Sequence, residues 1–306
     1  MRETGYSKAY SRMPRGLGSR PFQHPNPKYI TWAFSYLVAV VISRLSHPTA
    51  TQPINTEFFG INTMSINQFE RIVELFTVDN KPVLLATAVA CLVGLFQHFV
   101  CIWVFLKEGK TPLPFWMHSF YLAHDSTWCY LMRQAASRHD NHWYLSTFSN
   151  GLGLWSMMEI WCIYKIIMLD RKGTFSAFFG PSPPLTSVLG YTIAQVSSMY
   201  AIIFLGIILM GDDCMLQWTC LTNVVMVVGP THEYLRRGSR KGLPVSFCLL
   251  CVVGTLWTFA PFGMWVLIVP EMFDRPAYYA VGGILQIYSL WCCQIVYRYS
   301  SKTRKL

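Results

Sequence analysis

The sequence predicts an all-α, polytopic membrane protein of about eight transmembrane helices, and three observations carry that prediction. Hydrophobic residues make up 53% of the 306-residue chain and charged residues only 13%, more apolar than a soluble core requires. The apolar residues fall in repeated runs of roughly 17 to 27, the length that spans a hydrocarbon layer about 30 Å thick. The loops between the runs alternate in charge.

The runs are 29–45, 83–106, 113–136, 143–168, 185–210, 217–235, 243–269 and 277–297. The first follows a polar, basic, Pro/Gly-rich stretch, 1–28, that lacks the pattern of a cleavable signal, so it reads as an uncleaved anchor. The third contains His118, His124 and Asp125, and the sixth contains Gly229-Pro230 and ends on His232-Glu233. Kinked, short or re-entrant helices are expected at those two places. The organisation is one integral-membrane domain, 29–299, with basic tails at 1–28 and 300–306.

Charge bias tests the helix count independently. One set of segments is basic: the amino-terminal tail, Lys107 with Lys110, Arg171 with Lys172, Arg236 to Lys241, and the carboxy-terminal tail. The intervening loops carry Glu57, Glu70, Glu74 and Asp79, then Asp140, then Asp212 and Asp213, then Glu271 and Asp274. Eight helices with both termini cytosolic satisfy the positive-inside rule at every loop. The net charge of +10 is spread over five such segments, so it reflects topology and not nucleic-acid binding. Nine of the ten cysteines lie in the apolar runs, which argues against a disulfide framework. The Cys248-x-x-Cys251 pair has no second ligand pair beside it and reads as small residues packing between helices. Matched broken helices in two halves, the mark of many transporters, are not seen.

Of the 15 acidic residues, only Asp125, Glu159 and Glu233 fall inside the apolar runs. An ionisable group in hydrocarbon costs about 2.5–3.5 kcal/mol on insertion scales, so it usually faces a protein interior and serves a purpose. Asp125 and Glu159 sit at similar depth near mid-bilayer, on two helices joined by a short connection, so one cavity is expected to hold both. Glu233 lies closer to the cytosolic boundary. Apolar surroundings favour the proton-carrying form of a carboxyl group, the property a general acid needs. Trp155, Trp161 and Tyr164 accompany Glu159, and Trp128 and Tyr130 follow Asp125. Aromatic faces stabilise cations, so the combination suits carbocation chemistry. The structural alternative is that the carboxyls are partners for Arg133, Lys165 or a histidine. His118, His124, His139 and His142 are too few and too scattered for a di-iron centre, and Asp212-Asp213 reads as a solvated turn. Neither a metal nor another cofactor is expected.

The order of parts resembles the membrane-bound terpene cyclases of fungal meroterpenoid and indole-diterpene biosynthesis. The matching segments are His124-Asp125-Ser126-Thr127-Trp128, Trp155 to Trp161 around Glu159, and Arg237-Gly238-Ser239-Arg240-Lys241-Gly242 with Gly254-Thr255. The resemblance covers about 83–299, leaving the first helix as an addition to a seven-helix core. It implies metal-independent, acid-initiated cyclisation of a lipophilic prenylated or epoxyprenylated substrate in the endoplasmic reticulum membrane. Glu159 would be the general acid and Asp125 its partner or relay. Trp155, Trp161, Trp128 and Tyr164 would line the pocket, and Glu233 would close it. No carboxylate follows Asp274, so a second acid would have to be Asp125 or Glu233. A membrane double-bond isomerase and a non-enzymatic transporter or accessory protein remain as alternatives.

Overall fold

A computed structural model describes residues 68–211 and 213–299. The expected first helix, 29–45, and both tails lie outside the described residues. Within them the chain is helical, without a strand. The elements are α1 (Gln68–Leu75), α2 (Lys81–Glu108), α3 (Phe115–Arg138), α4 (Trp143–Leu169), α5 (Arg171–Phe179) and α6 (Leu185–Met210). They continue with α7 (Leu216–Arg237), α8 (Val245–Thr258), α9 (Met264–Ile268), α10 (Pro270–Phe273) and α11 (Pro276–Arg298).

Among the described residues, four helices are long and apolar enough to cross a membrane: α2, α4, α6 and α11, with mean hydropathies of 2.2, 1.4, 2.1 and 1.3. Their outer faces carry the apolar residues that a water-soluble fold would hide. Leu85, Leu92, Phe96, Phe99, Trp103 and Leu106 form one exposed stripe on α2, at spacings of three, four and seven. Only Val188 and Ile203 of α6 are buried. A continuous apolar exterior of this kind suits lipid.

α3 and α7 are long enough to cross, at 24 and 22 residues, but more polar. In α3 the polarity is turned inward: His118, Ser119, His124, Asp125 and Thr127 are all buried. α3 packs along α4 and α6 as the central helix. It is continuous over its 24 residues and so is not short. α7 is also continuous, through Pro230. A proline cannot donate to the carbonyl four residues back. Here that carbonyl, Met226 O, receives the Cys251 thiol at 4.0 Å.

The expected single helix over 243–269 is instead broken. α8 stops at Thr258, and Ala260-Pro261-Phe262-Gly263 forms a turn closed by the Gly263 amide donating to Ala260 O. Pro261 disfavours helical backbone at the residue before it, which ends α8 after 14 residues. At 1.5 Å per residue that is about 21 Å, short of a full crossing. The chain then returns through α9, which packs on α2 and α1.

The loops gather by charge as well as by position. At one end, Arg237 Nη1 donates to Thr111 O, the Gly242 amide to Glu108, and Arg240 to the carbonyls of Val296 and Tyr297. At the other, Trp143 Nε1 donates to Phe76 O, and Arg71 pairs with Glu271 at 3.0 Å. The first end holds Lys107, Lys110, Arg237, Arg240 and Lys241 with Glu108, and the second holds Glu70, Glu74, Asp79, Asp140, Glu271 and Asp274 with Arg71, Lys81, Arg138 and Arg275.

Phe99→Arg, in the lipid-facing stripe of α2, is expected to raise the insertion cost of that helix by about 3 kcal/mol, read as its inserted fraction in a translocation assay. The Glu271 carboxyl is held below its ordinary value by its own backbone amide and by Arg71. A lowered carboxyl stabilises the fold above its unfolded value and loses that contribution as pH falls through the folded one. Acidification through and below the ordinary carboxylate range should therefore loosen α1, seen as faster proteolysis near Arg71 that Glu271→Gln reproduces at neutral pH.

Candidate functional site

A cavity of about 120 Å³ lies inside the bundle, lined from α2, α3, α4, α7, α8 and α9. Its walls are largely aromatic: Trp128, Trp155, Trp257, Trp265, Phe148 and Tyr121. Its polar groups are Gln97, His98, His124, Asp125, Thr219, Thr222, Asn223 and Thr258. The volume approaches that of an apolar protein cavity known to admit benzene, about 150 Å³. It is therefore large enough for a group about the size of benzene and too small for the whole of a long molecule.

Two histidine–carboxyl pairs stand at this cavity. In the first, Asp125 Oδ1 lies 2.8 Å from His124 Nδ1, and His124 Nε2 lies 3.3 Å from Thr219 Oγ1. The Thr219 hydroxyl also lies 2.7 Å from Met215 O and can turn its hydrogen to either acceptor, so the His124 tautomer follows the proton that Asp125 carries. Asp125 Oδ2 is buried without a hydrogen-bond partner, and so is Trp128 Nε1, one turn along the same helix. Buried polar atoms are nearly always satisfied, so two orphans on one cavity wall point to a ligand or a proton-dependent role.

The second pair is His98 with Glu159. His98 Nδ1 donates to Gly94 O at 2.9 Å, its Nε2 meets Glu159 Oε1 at 3.1 Å, and its ring stacks on Trp155 at 5.6 Å. The other carboxyl oxygen, Oε2, meets His118 Nδ1 at 2.5 Å, and His118 Nε2 meets Thr111 Oγ1 at 3.2 Å. Glu159 and His118 are each 1% exposed and do not line the cavity; His98 stands between them and it. Cys162, one turn after Glu159, is also buried. His118, Glu159 and Cys162 place one ligand atom each within 4.8 Å of one another.

The structure sorts the expected residues. Asp125, Trp128 and Trp155 line the cavity. Glu159, expected as the general acid, has both oxygens engaged by histidines, and Asp125 is the carboxyl with an oxygen to spare. Trp161 and Tyr164 do not reach the cavity. Trp161 packs edge-on against Phe105 at 6.2 Å, and Tyr164 is 55% exposed beside Lys165. The reason is helical phase: at 100° per residue, Trp155 lies about 40° from Glu159 around α4, whereas Trp161 and Tyr164 lie about 160° and 140° away. Glu233 pairs with Arg237 at 2.7 Å near the Thr111 loop, and does not line the cavity. His98, Gln97, Trp257 and the α7 threonines were not expected. A lone histidine in the middle of the most apolar long helix was the available signal for His98.

Glu159→Leu removes the shared partner of His98 and His118, and is expected to destabilise the solubilised protein by about 3–5 kcal/mol in a denaturation series. Tyr164→Ala, on the lipid-facing surface, should stay within about 0.5 kcal/mol in the same series. Comparison with family models, with curated proteins and with solved structures gives no match for this chain, so the reading of function rests on the site itself.

Proposed function

We propose that this chain is an integral-membrane enzyme that protonates a lipophilic isoprenoid and guides the resulting cation to an isomeric, cyclised product, with Asp125 as the proton donor. The observation that carries the reading is the buried, unpartnered Asp125 Oδ2 on an aromatic cavity whose other oxygen is held by His124. In the acid form neutral His124 donates Nδ1–H to Asp125 Oδ1 and accepts the Thr219 hydroxyl at Nε2, while the carboxyl keeps its own proton on Oδ2. Donation to Oδ1 withdraws electron density and strengthens the Oδ2–H acid. After transfer the pair is a carboxylate beside a neutral imidazole, and its single negative charge faces the new cation.

The balance is that of an isomerisation. The Oδ2 proton bonds to an alkene carbon, or to an epoxide oxygen whose C–O bond then breaks. A second alkene closes the ring by forming a C–C bond, and a proton is lost from the final cation to the Asp125 carboxylate, restoring it. No atom enters or leaves. The faces of Trp128, Trp155, Trp257 and Trp265 supply quadrupole stabilisation, about 2 kcal/mol or more for a desolvated cation. Glu159 acts here as a positioning residue that holds the His98 ring against Trp155.

The lipid-facing exterior supports delivery of substrate from the bilayer. The gathering of basic loops at one end supports a cytosolic placement of that end; eight helices, both termini cytosolic and the endoplasmic reticulum membrane complete the proposed topology. The likeness in part order to the fungal membrane-bound terpene cyclases belongs to the same reading.

The test uses microsomes bearing wild type, Asp125→Asn, His124→Gln or Tyr164→Phe, given a panel of epoxyfarnesyl- and epoxygeranylgeranyl-substituted aromatics. The expected result is a product of unchanged mass and new retention time, reduced about 10²–10⁴-fold by Asp125→Asn and preserved in Tyr164→Phe. Undiminished conversion by folded Asp125→Asn removes Asp125 as donor. No conversion of any substrate by folded wild type removes the enzymatic reading.

A further inference from the structure

Glu159 presents a problem that the cavity chemistry leaves unsolved. Its carboxyl is buried among three helices, with an imidazole nitrogen against each oxygen. His98 Nδ1 faces a backbone carbonyl, which only accepts, so that nitrogen carries the proton and neutral His98 aims a lone pair at Glu159 Oε1. Lone pair against carboxylate is repulsive, so a positive species has to sit between them. A shared proton would serve. The thiol of Cys162 is a donor that a proton network does not need, yet it converges on the same point from the next turn of α4.

We propose that His118 Nδ1, Glu159 and Cys162 Sγ form a site for a divalent transition-metal ion, zinc by the chemistry of its donors, and that His98 Nε2, 3.1 Å from Glu159 Oε1 but outside that trio, moves in as the fourth ligand. Imidazole, carboxylate and thiolate together are a zinc donor set. The charges also sum correctly for an apolar interior. A dication, a carboxylate and the thiolate left when Cys162 gives up its proton total zero, with both histidines neutral. An uncompensated charge at this depth would be far more costly.

The outer contacts fit as well. A ligating histidine ordinarily donates its remote N–H to a fixed acceptor, which orients the ring. His98 does so to Gly94 O, and His118 Nε2 faces Thr111 Oγ1, which has a further lone pair beyond the one taken by the Leu113 amide. A tetrahedral zinc site spaces its ligand atoms roughly 3.3–3.7 Å apart. Binding therefore opens the 2.5 Å His118–Glu159 contact and draws the sulfur in, shifts of about 1 Å that side-chain rotation supplies. The ion would clamp α2, α3 and α4 together and fix the His98 ring at the cavity wall. Neither Asp125 nor His124 belongs to the donor set, so this site and the proton donor stand or fall separately.

The experiment is elemental analysis of the purified full-length protein, in detergent, after growth with zinc and extensive dialysis. Wild type should retain about one zinc per chain, and Cys162→Ser and His118→Gln should retain at least tenfold less. Thr111→Val removes no ligand, and should bind zinc roughly 10–100-fold more weakly in competition with a chromogenic chelator. Cys251→Ser, a buried thiol on α8, should retain zinc as wild type does. Replacing zinc by cobalt should give a thiolate-to-metal charge-transfer band that Cys162→Ser abolishes. The proposal is overturned if folded wild type holds under a tenth of an equivalent and takes up none on addition of zinc. It is equally overturned if Cys162→Ser and Thr111→Val bind zinc as tightly as wild type, or if bound cobalt gives no thiolate band.

Discussion

The constraint on which the rest of this structure depends is that a carboxyl group carried into an apolar bundle must be neutralised where it lies. Asp125 and Glu159 are both buried in the bundle, and the partners that meet them come from within the helices. Each is met by imidazole: Asp125 by His124, Glu159 by His98 and His118. The latter contacts join α2, α3 and α4, of which α2 and α4 turn apolar outer faces outward. A central helix as polar as α3 can exist here only because its neighbours enclose it, and those neighbours can be so apolar only because α3 carries the polar groups.

That division also produces the cavity. Interdigitating apolar side chains would fill a purely hydrophobic interior. Four tryptophans are too large and too flat to close around a row of short polar groups from α7, and a void of about 120 Å³ remains between them. The two carboxyls then diverge in character. Glu159, enclosed by two histidines, is suited to holding something in place, whether a ring or an ion. Asp125, enclosed on one oxygen only, is suited to giving something away. Two carboxyls buried in one bundle thus differ by one unpartnered oxygen, and Glu159 lies level with His118, about two helical turns from Asp125 along α3.

The break in the chain at Pro261 shows how the same economy shapes the ends of the bundle. α8 falls short of a full crossing, and the returning segment places Met264 and Trp265 on the cavity wall. Trp257 Nε1 donates to Ala86 O, tying α8 to α2 beside that wall. A continuous helix over 243–269 would have carried Trp265 past the cavity. The proline therefore closes one end of the cavity with an aromatic ring, and places irregular backbone at the bundle's edge, where its polar groups are paired within the protein.

Composition and periodicity were enough to determine the helical class, the boundaries of most long helices and the alternation of basic and acidic ends. Those features depend on local spacing and on the cost of placing charge in hydrocarbon, and both can be counted along a chain. The identity of the buried acids was legible for the same reason. The roles of those acids were not, because a role depends on which nitrogen faces which oxygen across helices, and sequence separation carries no information about that. Trp161 and Tyr164 could have been set aside on helical phase alone. His98 could not have been paired with Glu159 without knowing that α2 lies against α4. The sequence by itself determined that acids would be buried among aromatics in a membrane bundle. Only the packing of α2, α3 and α4 decided which acid keeps an oxygen open to the cavity, because hydrogen bonds between distant residues exist only once the helices have met.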